Sequence, residues 1–260
     1  MRQMTKSLRN RLVAASLVAM WHLFGSMLIA ALAATLVFGL WYPFPYRELA
    51  GGRELFLIVV SVDIVAGPLL SLIIFSPFKA KKELWRDMSI VVFVQIAALG
   101  YGLWTVWQAR PLFLVAEIDR FKVIAMPNLR PGSINILSPS LRPSLLSGPI
   151  TVAIRSPKDL NEKQAVLFES IQGGLDYGER PDFYIPYEGA AALKSLLRAR
   201  QVEVFLQKFP EQRAAARALA GKANLKLESL RYLPVIARQD WIALLDDHGM
   251  VIGFLKGDGF

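Results

Sequence analysis

The sequence predicts a bundle of three transmembrane helices followed by a small α+β domain, built on an antiparallel sheet, outside the membrane. Three observations lead there. The 260-residue chain is 54% hydrophobic with mean hydropathy +0.38, above an ordinary soluble protein of its size. That excess lies before residue 109, in three apolar runs separated by charged or Pro/Gly-rich breaks. From Arg110 onward, about 150 residues of ordinary composition remain, enough for one domain with its own core. The expected organisation is a membrane domain over residues 1–109 and an exported domain over 110–260.

The first run extends from Leu12 to Trp41, with the span itself expected over 17–41. At about 1.5 Å per residue it can cross roughly 30 Å of hydrocarbon. A cleaved signal peptide is the rival reading, because a basic start and an Ala31-Leu32-Ala33 tripeptide are present. The run nevertheless continues through Leu36, Val37, Phe38 and Leu40, where a mature polar sequence would begin, so an uncleaved span is expected. The aromatic segment Trp41-Tyr42-Pro43-Phe44-Pro45-Tyr46 then reads as an interfacial belt, and its prolines end the helix. A second span follows over 55–75 and a third over 88–108, with Trp104 and Trp107 as a second belt.

Charge orients these spans. Arg2, Lys6, Arg9 and Arg11 precede the first, and Lys79, Lys81, Lys82 and Arg86 fill the second break, against only Arg47 and Arg53 in the first loop. By the positive-inside rule the N-terminus is cytoplasmic and the C-terminal domain periplasmic. The net charge of +9 is thereby explained without nucleic acid, for which no aromatic-basic stripe, zinc-ligand spacing or binding motif is present. Zero cysteines exclude disulfides and thiol chemistry.

In the exported part, alternation from Phe113 to Ile124 predicts a strand, imperfect in its pattern. The Pro/Ser-rich stretch from Pro127 to Pro149 reads as loop, with a short strand at Ile134–Leu137, and Thr151–Arg155 as another strand. Helices are expected over Lys163–Ile171, Glu188–Arg200 and Glu211–Lys222, the last favoured by alanines after Pro210. Leu233–Ala237, Trp241–Leu245 and Met250–Leu255 read as a hairpin or meander turning at Asp246-Asp247-His248-Gly249.

The position that most constrains function is Asp63, inside the second span. An ionised carboxylate there costs roughly 2.5–3.5 kcal/mol on insertion scales and calls for a partner. Counting along the helices places Asp63 about 20 Å above the cytoplasmic loop, with Ser26 and Tyr101 near that height and His22 and Gln95 lower. A hydrogen bond from Tyr101 or Ser26 would satisfy the carboxyl. Pro68 bends the helix and frees the carbonyl of Ile64 as a further polar contact. Gly25, Ser26, Ala30, Ala31, Ala33 and Ala34 on the first span permit close helix approach, either within this bundle or to a partner helix.

Several segments carry a family resemblance. These are Trp41-Tyr42-Pro43-Phe44-Pro45-Tyr46, Gly51-Gly52-Arg53-Glu54-Leu55-Phe56, Val62-Asp63-Ile64-Val65-Ala66-Gly67-Pro68-Leu69, Tyr101-Gly102-Leu103-Trp104-Thr105-Val106 and Ala109-Arg110-Pro111. With the terminal Asp240-Trp241-Ile242-Ala243-Leu244-Leu245 and Gly253-Phe254-Leu255, they resemble the TfpX/TfpZ family of type IV pilin accessory proteins. The resemblance is strongest from residue 41 to 124 and weaker through the middle of the exported domain. It implies an inner-membrane protein of Gram-negative bacteria, a chaperone assisting the major pilin before pilus assembly. It supplies no catalytic residues and no cofactor. Its implied partner is the pilin's single transmembrane helix, its periplasmic head, or both, with the lipid bilayer as surroundings.

Asp63, Pro68, Tyr101 and Ser26 are then expected either to organise the bundle, the favoured reading, or to touch the pilin. An intramembrane aspartyl protease needs two carboxylates sharing a water, and the spans supply only Asp63. Asp246, Asp247 and His248 could bind a metal, but Asp-Asp-His-Gly is more commonly a hairpin turn. A membrane-anchored sensor or transporter subunit is the alternative class, disfavoured by the absence of repeats and broken-helix pairs.

Overall fold

The computed structural model describes residues 2–260, with side chains from Leu8 onward. Arg2 and Lys6, used above to orient the N-terminus, lie outside the described side chains. The chain forms two compact units: one runs to Gly39 and resumes over Arg53–Trp107, and the other comprises Leu40–Gly52 with Gln108–Phe260. The segment between the first two long helices, Leu40–Gly52, thus belongs with the C-terminal unit.

In the helical unit, α1 (Arg2–Leu36) continues into a π-helical turn, Val37–Trp41. Pro43 and Pro45 then stop it, since each lacks an N–H and disfavours helical geometry in the residue before it. After the single turn α2 (Tyr46–Leu49), which is part of the other unit, come α3 (Gly52–Ile74) and α4 (Lys81–Gln108). Leu8–Trp41, Gly52–Ile74 and Lys81–Gln108 are long and apolar enough to cross a membrane, with windowed hydropathies of 2.2, 2.5 and 1.8. The protein is a multi-span membrane protein with a C-terminal extramembrane domain. Trp21, Phe24, Ile58, Val65 and Phe93 are exposed on the helices, as lipid-facing side chains should be.

The second unit is built on an eight-stranded mixed sheet. Its strands are β1 (Pro111–Ala116), β2 (Phe121–Ala125), β3 (Ile150–Ile154), β4 (Tyr184–Pro186), β5 (Arg200–Gln201), β6 (Arg231–Ile236), β7 (Trp241–Leu245) and β8 (Val251–Lys256). Their order is β4-β3-β1-β2-β6-β7-β8, with β5 also paired to β6. Most neighbours are antiparallel, but β1 with β3 and β2 with β6 are parallel. Four helices accompany the sheet: α5 (Leu160–Ile171), α6 (Ala190–Leu196), α7 (Val202–Lys208) and α8 (Arg213–Lys222).

Strand alternation sorts the core onto two faces. Leu114 and Ala116 of β1, Leu233 and Val235 of β6, and Trp241, Ala243 and Leu245 of β7 share one cluster with Ala192 of α6 and with Tyr46 and Leu49 of α2. On the opposite face, Ile242, Leu244 and Leu255 meet Val202, Phe205 and Leu206 of α7 and Ala216 and Ala220 of α8. Further along that face, Phe113, Val115 and Val152 are covered by Leu129, Leu137 and Leu141.

Several sequence expectations change here. The segment Phe113–Ile124 is a hairpin rather than one strand: the Glu117 N–H donates to the Arg120 carbonyl at 2.8 Å, closing a turn where the alternation lapsed. Ile134–Leu137 is not a strand but lies around a 3-10 turn, Ser133–Ile136, packed as a cover on the sheet. The helix expected over Glu188–Arg200 is only α6, and Arg200 and Gln201 pair with β6 instead. Helix α7 has the buried spacing Val202, Phe205, Leu206, which is helical but only two turns long. By contrast α5, with Asp159 accepting from the Glu162 N–H at 2.8 Å as its cap, and α8 both fall where the sequence places them.

Candidate functional site

In the helical unit, the polar groups of the three long helices meet around the second half of α3. Pro68 lies inside α3 and cannot donate a backbone hydrogen bond, which loosens the ladder around it. Into this region Gln95 of α4 extends its side chain, donating from Nε2 to the backbone carbonyl of Asp63 at 3.2 Å. The recipient is one residue before the Ile64 carbonyl expected from the proline rule. Gly67 makes the approach possible, because a Cβ there would overlap the Gln95 amide. A second glycine contact, Gly102 of α4 against Val59 of α3, holds the same two helices further along.

On the α1 side, His22 Nδ1 lies 2.5 Å from Ser71 Oγ, and Arg11 donates to the Ile73 carbonyl at 2.9 Å. Ser71 is fully buried, and Gln95 and Ser26 nearly so. Arg11, His22, Ser71 and Gln95 thus fasten α1 to α3 and α3 to α4.

The expected residues divide. Asp63 is partly buried, and among the described residues its carboxyl makes no hydrogen bond; its electrostatic neighbour is His22. Tyr101 does not reach it. That ring is 70% exposed and lies beside Trp104, with centroids 5.9 Å apart. Ser26 is buried yet has no side-chain hydrogen bond among the described residues. The register explains the difference: Gln95 is opposite Gly67 and Gly102 is opposite Val59, so Tyr101 falls nearer the level of Val59 than that of Asp63. His22 and Gln95, placed lower by residue counting, make the interhelical contacts, His22 with Ser71 and Gln95 with the Asp63 carbonyl. Among the described residues, Gln95 Oε1 is buried without a hydrogen-bond partner.

In the extramembrane unit, the Trp41–Tyr46 segment is not an exposed aromatic belt. Tyr42 and Leu49 are fully buried, and Trp41 and Tyr46 nearly so; Phe44 alone of the aromatic residues is open, at 60%. The Leu49 carbonyl accepts from both the Arg238 and Gln239 N–H groups, at 3.0 and 3.2 Å. Tyr46 meets Phe254 edge-on, and Phe44 meets Trp241. Trp41 Nε1 donates to the Leu145 carbonyl at 3.0 Å, and Arg110 Nη2 to that of Ser144 at 3.1 Å. Burial pushes the Tyr42 phenol well above its usual range, partly opposed by the neighbouring Arg110 cation. Gly52 lies so close to the Tyr42 ring that a side chain would overlap it.

The Asp246-Asp247-His248 group is a turn. Asp246 Oδ1 accepts from the His248 and Met250 N–H groups at 2.9 and 2.7 Å, fixing the β7–β8 connection, and His248 Nδ1 lies 2.8 Å from Asp247. Gly249 at φ 80 completes it.

Comparison with known proteins gives this architecture a context. Residues 10–51 match the family described as Fimbrial assembly protein FimB. The chain is 28% identical over 256 residues to the fimbrial assembly protein of serogroup I of Dichelobacter nodosus, covering 97% of this chain and 98% of that one. It is 27% identical to the serogroup E1 protein of the same organism, over the same shares of both chains. A third relative, the fimbrial assembly protein of serogroups C1 and C2 from that organism, is 36% identical over 117 residues, 45% of this chain and 89% of the relative. No solved structure matches the chain.

Proposed function

Since this chain belongs to the fimbrial assembly protein family, we propose that it is a pilin-specific accessory protein of the TfpX/TfpZ kind, acting without catalysis or cofactor. It holds the major pilin in the inner membrane before assembly. The observation that carries this reading is the unfinished polar layer of the bundle. The Asp63 carboxyl, only partly buried in the bundle, has no hydrogen-bond donor among the described residues. In hydrocarbon, such groups favour a further helix that can supply a donor.

A pilin offers one apolar helix and one globular head, matching in kind the two units found here. The charge distribution supports a cytoplasmic N-terminus and a periplasmic C-terminal domain. On this reading Asp63, Pro68 and Ser26 belong to the helix-binding surface or stand directly behind it, while the exposed Tyr101 lies apart from it.

The test is co-purification of the major pilin with the full-length protein, followed by cross-linking from α1 and from the extramembrane domain in cells expressing both. Pilin cross-links from either surface support the proposal. Their absence from both overturns it.

A further inference from the structure

The segment Ser144-Leu145-Leu146-Ser147-Gly148 presents two adjacent leucines to the outside, Leu145 at 59% and Leu146 at 65% exposed. Two leucines alone would mean little on a protein surface. Their attachment gives them meaning. The Leu145 carbonyl is held by Trp41, the last residue of the first apolar span, and the Ser144 carbonyl by Arg110, two residues after the third span ends at Gln108. Gly148 packs against the Leu40 carbonyl and the Pro43 ring. The loop is thus fastened to both points at which the chain leaves hydrocarbon.

Part of its own backbone is also hydrogen-bonded. Ser147 Oγ accepts from the Ser144 N–H at 2.8 Å and donates to the Ser144 carbonyl at 3.1 Å. Together with the Trp41 and Arg110 donors, these bonds satisfy the Ser144 N–H and the Ser144 and Leu145 carbonyls, and the rest of the loop backbone can stay hydrated at headgroup level, outside the hydrocarbon in which every backbone group must be satisfied internally. Phe44, three residues beyond the first exit and exposed, lies beneath the Arg47 guanidinium at 5.5 Å, a ring–cation pair suited to the same depth.

We infer that Leu145 and Leu146 form a membrane-interface anchor, inserting into the outer headgroup–acyl boundary of the bilayer that the three helices cross. The occupant of this surface is lipid. The anchor takes over the interfacial role that Trp41, Tyr42 and Tyr46 give up by packing into the extramembrane unit. It does not depend on a pilin, so it stands or falls separately from the proposed function.

The absence of native cysteine allows a clean test with full-length protein in lipid nanodiscs. Leu145→Cys, Leu146→Cys and Asp247→Cys would each be labelled with an environment-sensitive fluorophore. Asp247 serves as the distant site because β7 carries the chain about 13 Å from Trp241, the neighbour of Phe44, to Leu245 before that turn. The labels at 145 and 146 should be blue-shifted and quenched several-fold more strongly by shallow spin-labelled lipids than the label at 247. Equal, water-like emission at all three sites would overturn the anchor. A blue shift at 145 and 146 without lipid quenching would assign the surface to a protein contact and overturn it equally. Unchanged thermal unfolding of the labelled proteins would show that the fold is intact.

Discussion

Replacing Leu49 by alanine tests whether the loop between the first two spans is structural core. Leu49 is fully buried among Tyr46, Leu114, Phe121 and Trp241, contributed by α2 and three strands. Leucine-to-alanine changes at such sites cost about 2–5 kcal/mol, from lost transfer energy plus the cavity left behind. The backbone carbonyl of residue 49 would keep both its hydrogen bonds, so the loss should come from packing alone. Taking about 3 kcal/mol, and about 2–4 °C per kcal/mol for a unit of this size, the midpoint should fall by roughly 6–12 °C. The assay is thermal unfolding of the full-length protein in nanodiscs, read by protease resistance of the C-terminal fragment. Phe44→Ala, at an exposed position of the same loop, is the control and should change little. If Leu49→Ala shifts the midpoint no further than Phe44→Ala, the loop is not part of the core.

Asp63→Leu should lower pilin levels or piliation while Asp63→Asn largely preserves them, measured by immunoblot of cells, because an amide retains hydrogen-bonding capacity; normal levels in both would remove Asp63 from the site. Gly67→Ala should displace Gln95 and reduce the yield of monodisperse protein, whereas Gly100→Ala, with open space around it, should not; size-exclusion profiles compare them. The Arg155 side chain, bonded to Glu162 at 2.8 Å, with the Lys158 N–H beside it, holds that carboxyl down at about 2. A folded-state value below the unfolded one gives stability that is present above the ordinary glutamate range and lost as pH falls toward about 2. The difference in thermal midpoint between wild type and Glu162→Gln should therefore be constant near neutrality and vanish by about pH 2.

The spans were legible because hydrocarbon imposes length and composition on consecutive residues, which a sequence displays directly. So were β7, whose residues alternate between two covered faces, and the body of α5, although the expected start at Lys163 lies inside the helix that Asp159 caps before Leu160. The hairpin at Glu117–Arg120 was partly legible, since the alternation weakens at that point. What could not be read was any relation set by tertiary packing. Trp41, Tyr42 and Tyr46 have the composition of an interfacial belt, and only tertiary packing buries them, Tyr46 in the cluster with β6 and β7 and Trp41 bonded to the Leu145 carbonyl. Residue counting likewise placed Tyr101 too near Asp63, because helix register depends on where Gly67 and Gly102 let α4 approach. His22 and Gln95 were visible as polar residues within spans, but their partners were not.

The return of the first loop to the C-terminal unit has a mechanical consequence. That unit is assembled from two separated pieces of chain, Leu40–Gly52 and Gln108–Phe260, with α3 and α4 between them in sequence. Its core includes Leu49 and Tyr46, so that core is complete only when residues on both sides of α3 and α4 have come together. The backbone contact from Arg238 and Gln239 to Leu49 joins residues separated by roughly three-quarters of the chain. A C-terminal fragment beginning at Gln108 should consequently be less stable than the same residues in the full protein, and supplying a peptide of residues 40–52 should restore part of the loss. Equal protease resistance of the fragment and the full-length protein would mean that insertion of the spans and folding of the sheet proceed independently.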